Sequence, residues 1–311
     1  GVVGGEVGAE RSPCGGSDGG EQLGDGFGPG PRDAWQPYDV DLLPSGTEII
    51  DLVLGLEFAC ALARGPGGMP PELYCWGDNT YGQTQINPST RNPVEDATFV
   101  GSGPSLYQLV AGDFHVCGLS AESFGEVAIE CWGRNDGSQL ATTGTDTFVP
   151  VSTTFASSTE VDSVAAGTRH TCMAVEGQLW CWGDDTDNQT TIGVESAVPT
   201  IIAIPGNPFV EQVVADAHGT CIRDEFGGVQ CTGRNTMRLL VDTPNDPTLG
   251  WVAVSLPVPA RQLSPGSASH RCMIGADDNV YCWGENAFGQ LGDGSSGLPR
   301  PDPQPVGGLR P

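Results

Sequence analysis

The stretch that decides the fold is residues 170–189, HTCMAVEGQLWCWGDDTDNQ. It holds a histidine, two cysteines and several acidic residues in one short run. The histidine and the cysteines could bind a transition metal, or the two cysteines could be joined to each other. The rest of the chain decides between these two interpretations, because the same pattern recurs along it.

Five segments match when they are aligned on their cysteines, and they recur about every fifty residues, a spacing typical of repeat folds. The repeat cores, numbered here as repeats 1 to 5, are residues 58–83, 115–139, 170–189, 219–238 and 270–294. A partial repeat at residues 14–26, CGGSDGGEQLGDG, holds a cysteine of the second type without a first-type partner. This odd cysteine, Cys14, is therefore expected to be unpaired.

Turn-forming residues separate the two cysteines of every repeat, which places each pair on the two strands of a hairpin. Directly opposed residues of a non-hydrogen-bonded antiparallel pair have Cα atoms about 4.5 Å apart, within reach of a disulfide. A zinc site would need four ligands, and a repeat supplies three at most. The sequence therefore predicts five hairpin disulfides, namely Cys60–Cys75, Cys117–Cys131, Cys172–Cys181, Cys221–Cys231 and Cys272–Cys282.

Two other residue types recur at fixed positions. Tryptophan follows the second cysteine in four repeats and is expected to pack between neighbouring repeats; these residues are Trp76, Trp132, Trp182 and Trp283. Histidine stands two positions before the first cysteine in three repeats, as His115, His170 and His270. Repetition predicts a structural role for the histidines, a hydrogen bond that closes the preceding turn. Repeat 4 departs from the pattern and lacks the tryptophan, the histidine and a later glutamine.

Each repeat reads as four short strands, because apolar and polar residues alternate between turn-forming residues. In repeat 3 the predicted strands are residues 161–167, 170–175, 178–183 and 198–204. Four-stranded repeats of this length predict an all-β fold, a β-propeller built of four-stranded blades.

The pattern G-x-x-H-x-C followed by C-W-G-x-N-x-x-G-Q, most complete in HRCMIGADDNVYCWGENAFGQLGDG (270–294), resembles the repeats of the regulator of chromosome condensation family. The resemblance covers residues 14–311 and implies a β-propeller, usually of seven blades. Bacterial secreted members of that family look like this sequence in carrying paired cysteines. Five full repeats and a partial one predict about six blades, or a fragment of a seven-bladed ring. Residues 1–13 are glycine-rich and would form an N-terminal segment or a closing strand.

The charge and the cysteines limit the compartment and the partners. The net charge is −26, and all 13 cationic residues are arginine. Such a negative field disfavours nucleic acid and would suit a basic partner. No apolar run approaches the length of a membrane helix, so no membrane insertion is expected. Eleven cysteines in this arrangement predict an oxidising compartment, hence a secreted, periplasmic or cell-surface location.

The sequence predicts a protein-binding scaffold with an unidentified protein ligand, no cofactor and no catalytic activity. The archetype of the family is an exchange factor on chromatin, a role that the compartment and the charge disfavour here. One alternative is a hydrolase, which would need a nucleophile and a base, or paired carboxylates, outside the repeated positions. The other is a calcium-dependent binding module in which Asp184, Asp185 and Asp187 supply oxygen ligands.

Overall fold

The computed structural model describes residues 13–14, 38–39, 47–65, 70–101, 106–121, 126–155, 161–235, 248–264 and 270–307. These residues form strands and turns. The strands are β1 (Pro13–Cys14), β2 (Tyr38–Asp39), β3 (Glu48–Leu54), β4 (Phe58–Arg64), β5 (Glu72–Gly77), β6 (Val94–Gly101), β7 (Leu106–Ala111), β8 (His115–Ala121), β9 (Val127–Gly133), β10 (Thr147–Phe155), β11 (Val161–Ala166), β12 (His170–Val175), β13 (Gln178–Gly183), β14 (Ser196–Ile201), β15 (Val210–Ala215), β16 (Gly219–Asp224), β17 (Val229–Arg234), β18 (Thr248–Ala253), β19 (Ala260–Leu263), β20 (His270–Gly275), β21 (Val280–Asn286) and β22 (Gly297–Pro305).

Each repeat folds into one antiparallel sheet of four strands that pair in chain order. The five sheets are β3–β6, β7–β10, β11–β14, β15–β18 and β19–β22, and a separate two-stranded sheet joins β1 to β2. The four-stranded blades predicted from the sequence are therefore confirmed. The last strand of repeat 3 lies at Ser196–Ile201 rather than at residues 198–204, because Ser196 pairs with Gly183 and the ladder ends at Ile201, before a turn at residues 205–206.

The second and third strands of each sheet carry its paired cysteines. In repeat 3 every residue of β12 is buried, and Cys172 lies directly opposite Cys181 with their Cα atoms 4.1 Å apart. The structure joins the same five pairs as the sequence predicts, with Cα separations of 4.1 or 4.2 Å. The hairpin register therefore brings each pair into bonding distance, and the variable residues between the cysteines extend the hairpin tip.

The chain divides into two compact units. The first consists of residues 1–136 and 142–158, and the second of residues 137–141 and 159–311. Within the first unit, apolar side chains of repeats 1 and 2, such as Leu62 and Leu109, share one core. Within the second unit, one core joins repeats 3 and 4 and another joins repeats 4 and 5. Within each unit, neighbouring sheets bury each other's faces, as in other stacked-repeat proteins.

Several predicted features fall outside the described residues. They are the segment 1–13 apart from Pro13, the partial repeat 14–26 apart from the backbone of Cys14, and the side chain of Cys14. In the part of the chain that the structure describes, no helix has the length and apolar character needed to span a bilayer.

Candidate binding face

In repeats 1 to 4, the turn before the first cysteine is closed by a backbone hydrogen bond. In repeat 3 the Gly167 N–H donates to the His170 carbonyl at 2.9 Å. The same bond forms in repeat 1, where Phe58 stands at the histidine position, and in repeat 4, where Gly219 does. The main chain therefore closes this turn whether or not a histidine stands at the position.

The side chain of His170 instead reaches the next repeat. Its Nε2 lies 2.9 Å from Thr220 Oγ1, and the Thr220 hydroxyl donates to the Gln189 carbonyl at 2.7 Å. Because that hydroxyl has one proton to give, Nε2 is the protonated nitrogen of a neutral ring. Burial disfavours the charged imidazolium and lowers the pKa of His170 to about 4, against a smaller opposing effect of Asp216. His115 is also fully buried, and burial lowers the pKa of the half-buried His270 as well.

The four repeated tryptophans are buried, each with 1% or less of its surface exposed. In the first unit, Trp132 Nε1 donates to the Gln83 carbonyl at 2.9 Å. In the second unit, Trp182 Nε1 donates to the Gln139 carbonyl at 2.8 Å. Each of these two indoles thus ties its own repeat to the glutamine loop that precedes it in the chain, in line with the packing role expected for them.

The glutamine loop is held by its own side chain. The Oε1 atom of the glutamine accepts the backbone N–H two residues earlier at 2.8 to 2.9 Å, in the pairs Gln83 with Tyr81, Gln139 with Gly137, Gln189 with Asp187, and Gln290 with Phe288. The residue two positions before the glutamine is therefore fixed in place in four repeats, whatever its side chain is.

The sequence pattern includes a second organising residue, three positions after the tryptophan, to which we had assigned no role. The set is buried and consists of Asn79, Asn135, Asp185, Asn235 and Asn286. Asn79 Nδ2 donates to the carbonyls of Ile86 and Arg91, both at 2.9 Å, and so folds the loop that follows. The signal was present in the sequence, since four of five repeats carry asparagine at the same distance from the second cysteine.

A further backbone bond joins the ends of the second and third strands. The N–H of the residue after Trp-Gly, or after Thr-Gly in repeat 4, donates to the carbonyl of the residue before the histidine position. The four bonds are Asp78 to Glu57, Arg134 to Phe114, Asp184 to Arg169 and Arg234 to His218, at 2.7 to 3.0 Å. In repeats 2, 3 and 4 these positions meet the residue fixed by the preceding glutamine loop. We call the three side chains a junction set.

The junction set of the first unit is aromatic and cationic. The rings of Tyr81 and Phe114 pack edge to face with centroids 5.4 Å apart. The Arg134 guanidinium carbon lies 5.1 Å from the centre of the Tyr81 ring and 5.2 Å from that of Phe114, within range of a cation–π interaction. Arg134 also pairs with Asp136 at 2.5 Å.

The second unit has two junction sets. In the first, Arg169 Nη1 pairs with Asp184 Oδ2 at 3.4 Å, and a Cβ on Gly137 would lie 3.0 Å from the Arg169 carbonyl oxygen. In the second, Asp187 accepts His218 Nδ1 at 2.8 Å and Arg234 Nη2 at 2.7 Å.

The two junction sets of the second unit form one network. Gln189 connects them, since its Nε2 donates to Asp184 Oδ2 at 3.4 Å and its Oε1 accepts the Asp187 N–H. The carboxylates lie deep, with 5% and 13% of the Asp184 and Asp187 side chains exposed, whereas the Arg169 and Arg234 side chains are 35% and 39% exposed. Charged donors therefore face solvent here on a rigid backbone.

The three aspartates considered as calcium ligands do not converge. Asp184 accepts Thr186 and Gln189, and Asp187 accepts His218 and Arg234. Asp185 stands at the position where the other repeats carry asparagine. It accepts the backbone N–H groups of Thr190, Thr191 and Gly193. Across the described ranges, no cluster of three or more His, Cys, Asp or Glu side chains could hold a metal ion. Their oxygens organise the loop instead.

Comparison with known proteins identifies the class of the fold. A model of the regulator of chromosome condensation (RCC1) repeat matches residues 131–174 and 277–311, and a second model of that repeat matches residues 161–189. The crystal structure of human WBSCR16 superposes with a TM-score of 0.78 at 19% identity, covering 98% of this chain and 78% of that one. A chain in the structure of Kap60 bound to yeast RCC1 (Prp20) gives 0.75 at 18% identity, covering 98% and 74%.

Among curated proteins, the ultraviolet-B receptor UVR8 of Arabidopsis thaliana is 27% identical over 266 residues. That match covers 81% of this chain and 56% of the receptor, so the chain spans about half the length of this relative. The resemblance to RCC1 repeats is confirmed: the chain carries such repeats and has the all-β fold of the RCC1 β-propeller.

Proposed function

We propose that this chain is a secreted or surface-exposed protein-binding scaffold with no catalytic activity of its own. The observation that supports the proposal most strongly is the contrast within each junction. The backbone bonds repeat from junction to junction, whereas the side chains on them change from Tyr–Phe–Arg to Gly–Arg–Asp to Asp–His–Arg. A constant backbone with changing side chains is how binding surfaces are built on rigid folds.

The proposed location rests on the disulfides. Nine of the ten bonded cysteines are buried in their sheets and Cys272 is partly buried, and disulfides of this density persist in oxidising compartments. The cell exterior, the periplasm and the cell surface meet that requirement. The bacterial secreted members that the sequence resembles fit the same setting.

The proposed partner is a protein with a basic surface. The net charge of −26 accelerates encounter with positively charged proteins and opposes nucleic acid. Binding of proteins also has a precedent in this fold, because yeast RCC1 has been crystallised bound to Kap60.

Nothing in the described site favours the two alternatives. His218 bonds through its ring to Asp187, as a general base would, yet no described serine, threonine or cysteine hydrogen-bonds to that ring. The aspartates that a calcium-dependent module would use are committed to their own loop.

A capture experiment with matched variants tests the proposal. The native chain is immobilised and exposed to extracellular and surface proteins of its source. In parallel, a junction variant, D187A with R234A, is compared with a control variant, R261A with D278A. The control removes another ion pair of the second unit, at a hairpin tip, with side chains 58% and 62% exposed.

We expect one protein to be captured by the native chain and by the control variant, and to be lost from the junction variant at unchanged melting temperature. Equal capture by all three would contradict the assignment of the junctions, and capture of no protein would contradict the scaffold function.

A further inference from the structure

The outer strands of the five sheets differ in whether they carry a proline at one particular position. The fourth strand of each repeat, β6, β10, β14, β18 or β22, ends its sheet. In three of these strands a proline precedes the residue that pairs with the second cysteine. The prolines are Pro150, Pro199 and Pro303, before Val151, Thr200 and Gln304.

Proline has no N–H, and in these three sheets it lies within the register shift between the pair at the second cysteine and the pair at the glycine two residues later. The third strand therefore does not need an N–H at this position. Proline on an outer strand removes a donor that another strand could pair with, which is a common way to protect a sheet edge.

Two outer strands lack this proline. Trp251 of β18 stands at the position, before Val252, and its indole donates to Thr191 Oγ1 at 3.1 Å. In β6 the position is Ala97, before Thr98. The eight residues of β6, Val94–Gly101, contain no proline, and no described strand pairs with its outer edge. This edge therefore offers unblocked backbone donors and acceptors.

The side chains of β6 indicate what could pair there. Glu95 is exposed, and Phe99 is 50% exposed. The Phe99 ring packs against Tyr74 with centroids 5.9 Å apart, which supplies a fixed apolar surface. The chain as a whole is strongly acidic. Asp96 of β6 is paired with Arg91, so Glu95 supplies the exposed carboxylate. A carboxylate and an aromatic ring beside an open edge match a strand that carries basic and apolar residues.

We propose that β6 binds an extended segment of a protein partner, with alternating basic and apolar residues, as an added strand of the first sheet. Main-chain hydrogen bonds to the β6 edge hold the segment, while its basic side chains face the acidic surface. The site lies on an outer strand and uses no junction residue, so it is independent of the junction sets.

The test uses the full chain and a labelled octapeptide of alternating arginine and valine, blocked at both ends, followed by fluorescence anisotropy. Ala97→Pro gives β6 the residue that β10, β14 and β22 already tolerate, and buried Pro303 shows that the position accepts it. Ala97→Ser is the matched control that keeps the N–H. A peptide with alternate N-methylated residues keeps the charge but cannot pair.

We expect the native chain and Ala97→Ser to bind the peptide alike, and Ala97→Pro to bind it about tenfold more weakly at an unchanged melting temperature. The N-methylated peptide should bind no variant above background. Equal binding by the native chain and Ala97→Pro, or no binding to the native chain, would overturn the proposal. A native dimer that Ala97→Pro dissociates would also overturn it, since the occupant would then be a second copy.

Discussion

Repeats 3 and 4 share a backbone but not the side chains that define the repeat. Repeat 3 has His170 and Trp182, whereas repeat 4 has Gly219 and Thr232 at those positions. Both nevertheless form a four-stranded sheet, with the paired cysteines 4.1 Å apart at Cα and the same turn-closing backbone bond. The backbone and the disulfide therefore define the blade, and the side chains at its end can change.

The changes in repeat 4 are matched by nearby residues. Thr232 Oγ1 donates to the Asn188 carbonyl at 2.8 Å, and Trp251 brings an indole from β18 into the core shared with repeat 3. Asp216 replaces the glycine of the turn and pairs with Arg271 of repeat 5, both with 3% or less of their side chains exposed. A lost side chain is thus tolerated where its polar neighbours and its volume are supplied from elsewhere.

The buried pair gives the largest expected effect. Arg271→Ala leaves Asp216 charged and unpaired in the interior, and we expect the free energy of unfolding to fall by about 3–5 kcal/mol. Asp216→Gly with Arg271→Thr copies Gly167 and Thr171 of repeat 3 and should recover all but about 1 kcal/mol of that loss. Chemical denaturation measures both; a double variant as unstable as the single one would show that the pair is not what makes repeat 4 different.

The second-largest loss of stability is expected from replacing the buried tryptophan of repeat 3. Trp182→Thr copies repeat 4 into repeat 3 without a replacement indole, and should cost about 3 kcal/mol through the cavity and the lost bond to the Gln139 carbonyl. Thr232→Trp should not stabilise repeat 4, because Trp251 already occupies its core. Thermal unfolding of both variants decides, and a cost below about 1 kcal/mol for Trp182→Thr would refute the role given to the indole.

The smallest effect depends on pH. Since the pKa of His170 is lowered to about 4 in the folded chain, the unfolded chain binds the extra proton first as the pH falls below about 6.5. The free energy of unfolding is therefore expected to fall as the pH decreases from about 6.5 to about 4. At pH 5 the loss is about 2 kcal/mol relative to the variant His170→Gln, whose side chain does not titrate. Repeat 4 makes no such pH-dependent contribution, because Gly219 stands at the histidine position. Parallel denaturation curves of the two proteins from pH 7 to pH 5 would contradict this.

Local patterns predicted the fold, whereas contacts between repeats escaped prediction except for the packing of the repeated tryptophans. The cysteine pairs and the turn residues between them lie within one hairpin, so their spacing was enough to set the register of, for example, Cys172 and Cys181. The partner of His170 could not be predicted in the same way, because Thr220 lies in a different sheet. The Asp216–Arg271 pair likewise joins two repeats, and only the stacking of their sheets makes it visible.

Disulfide mapping of the native protein tests the central claim most directly. The protein is treated with an alkylating reagent without reduction, digested and examined by mass spectrometry. The structure requires five bonds, each within one repeat, with all ten of those cysteines protected from alkylation. Alkylated cysteines among the ten, or a bond between two repeats, would contradict a scaffold in which each blade is closed by its own hairpin disulfide.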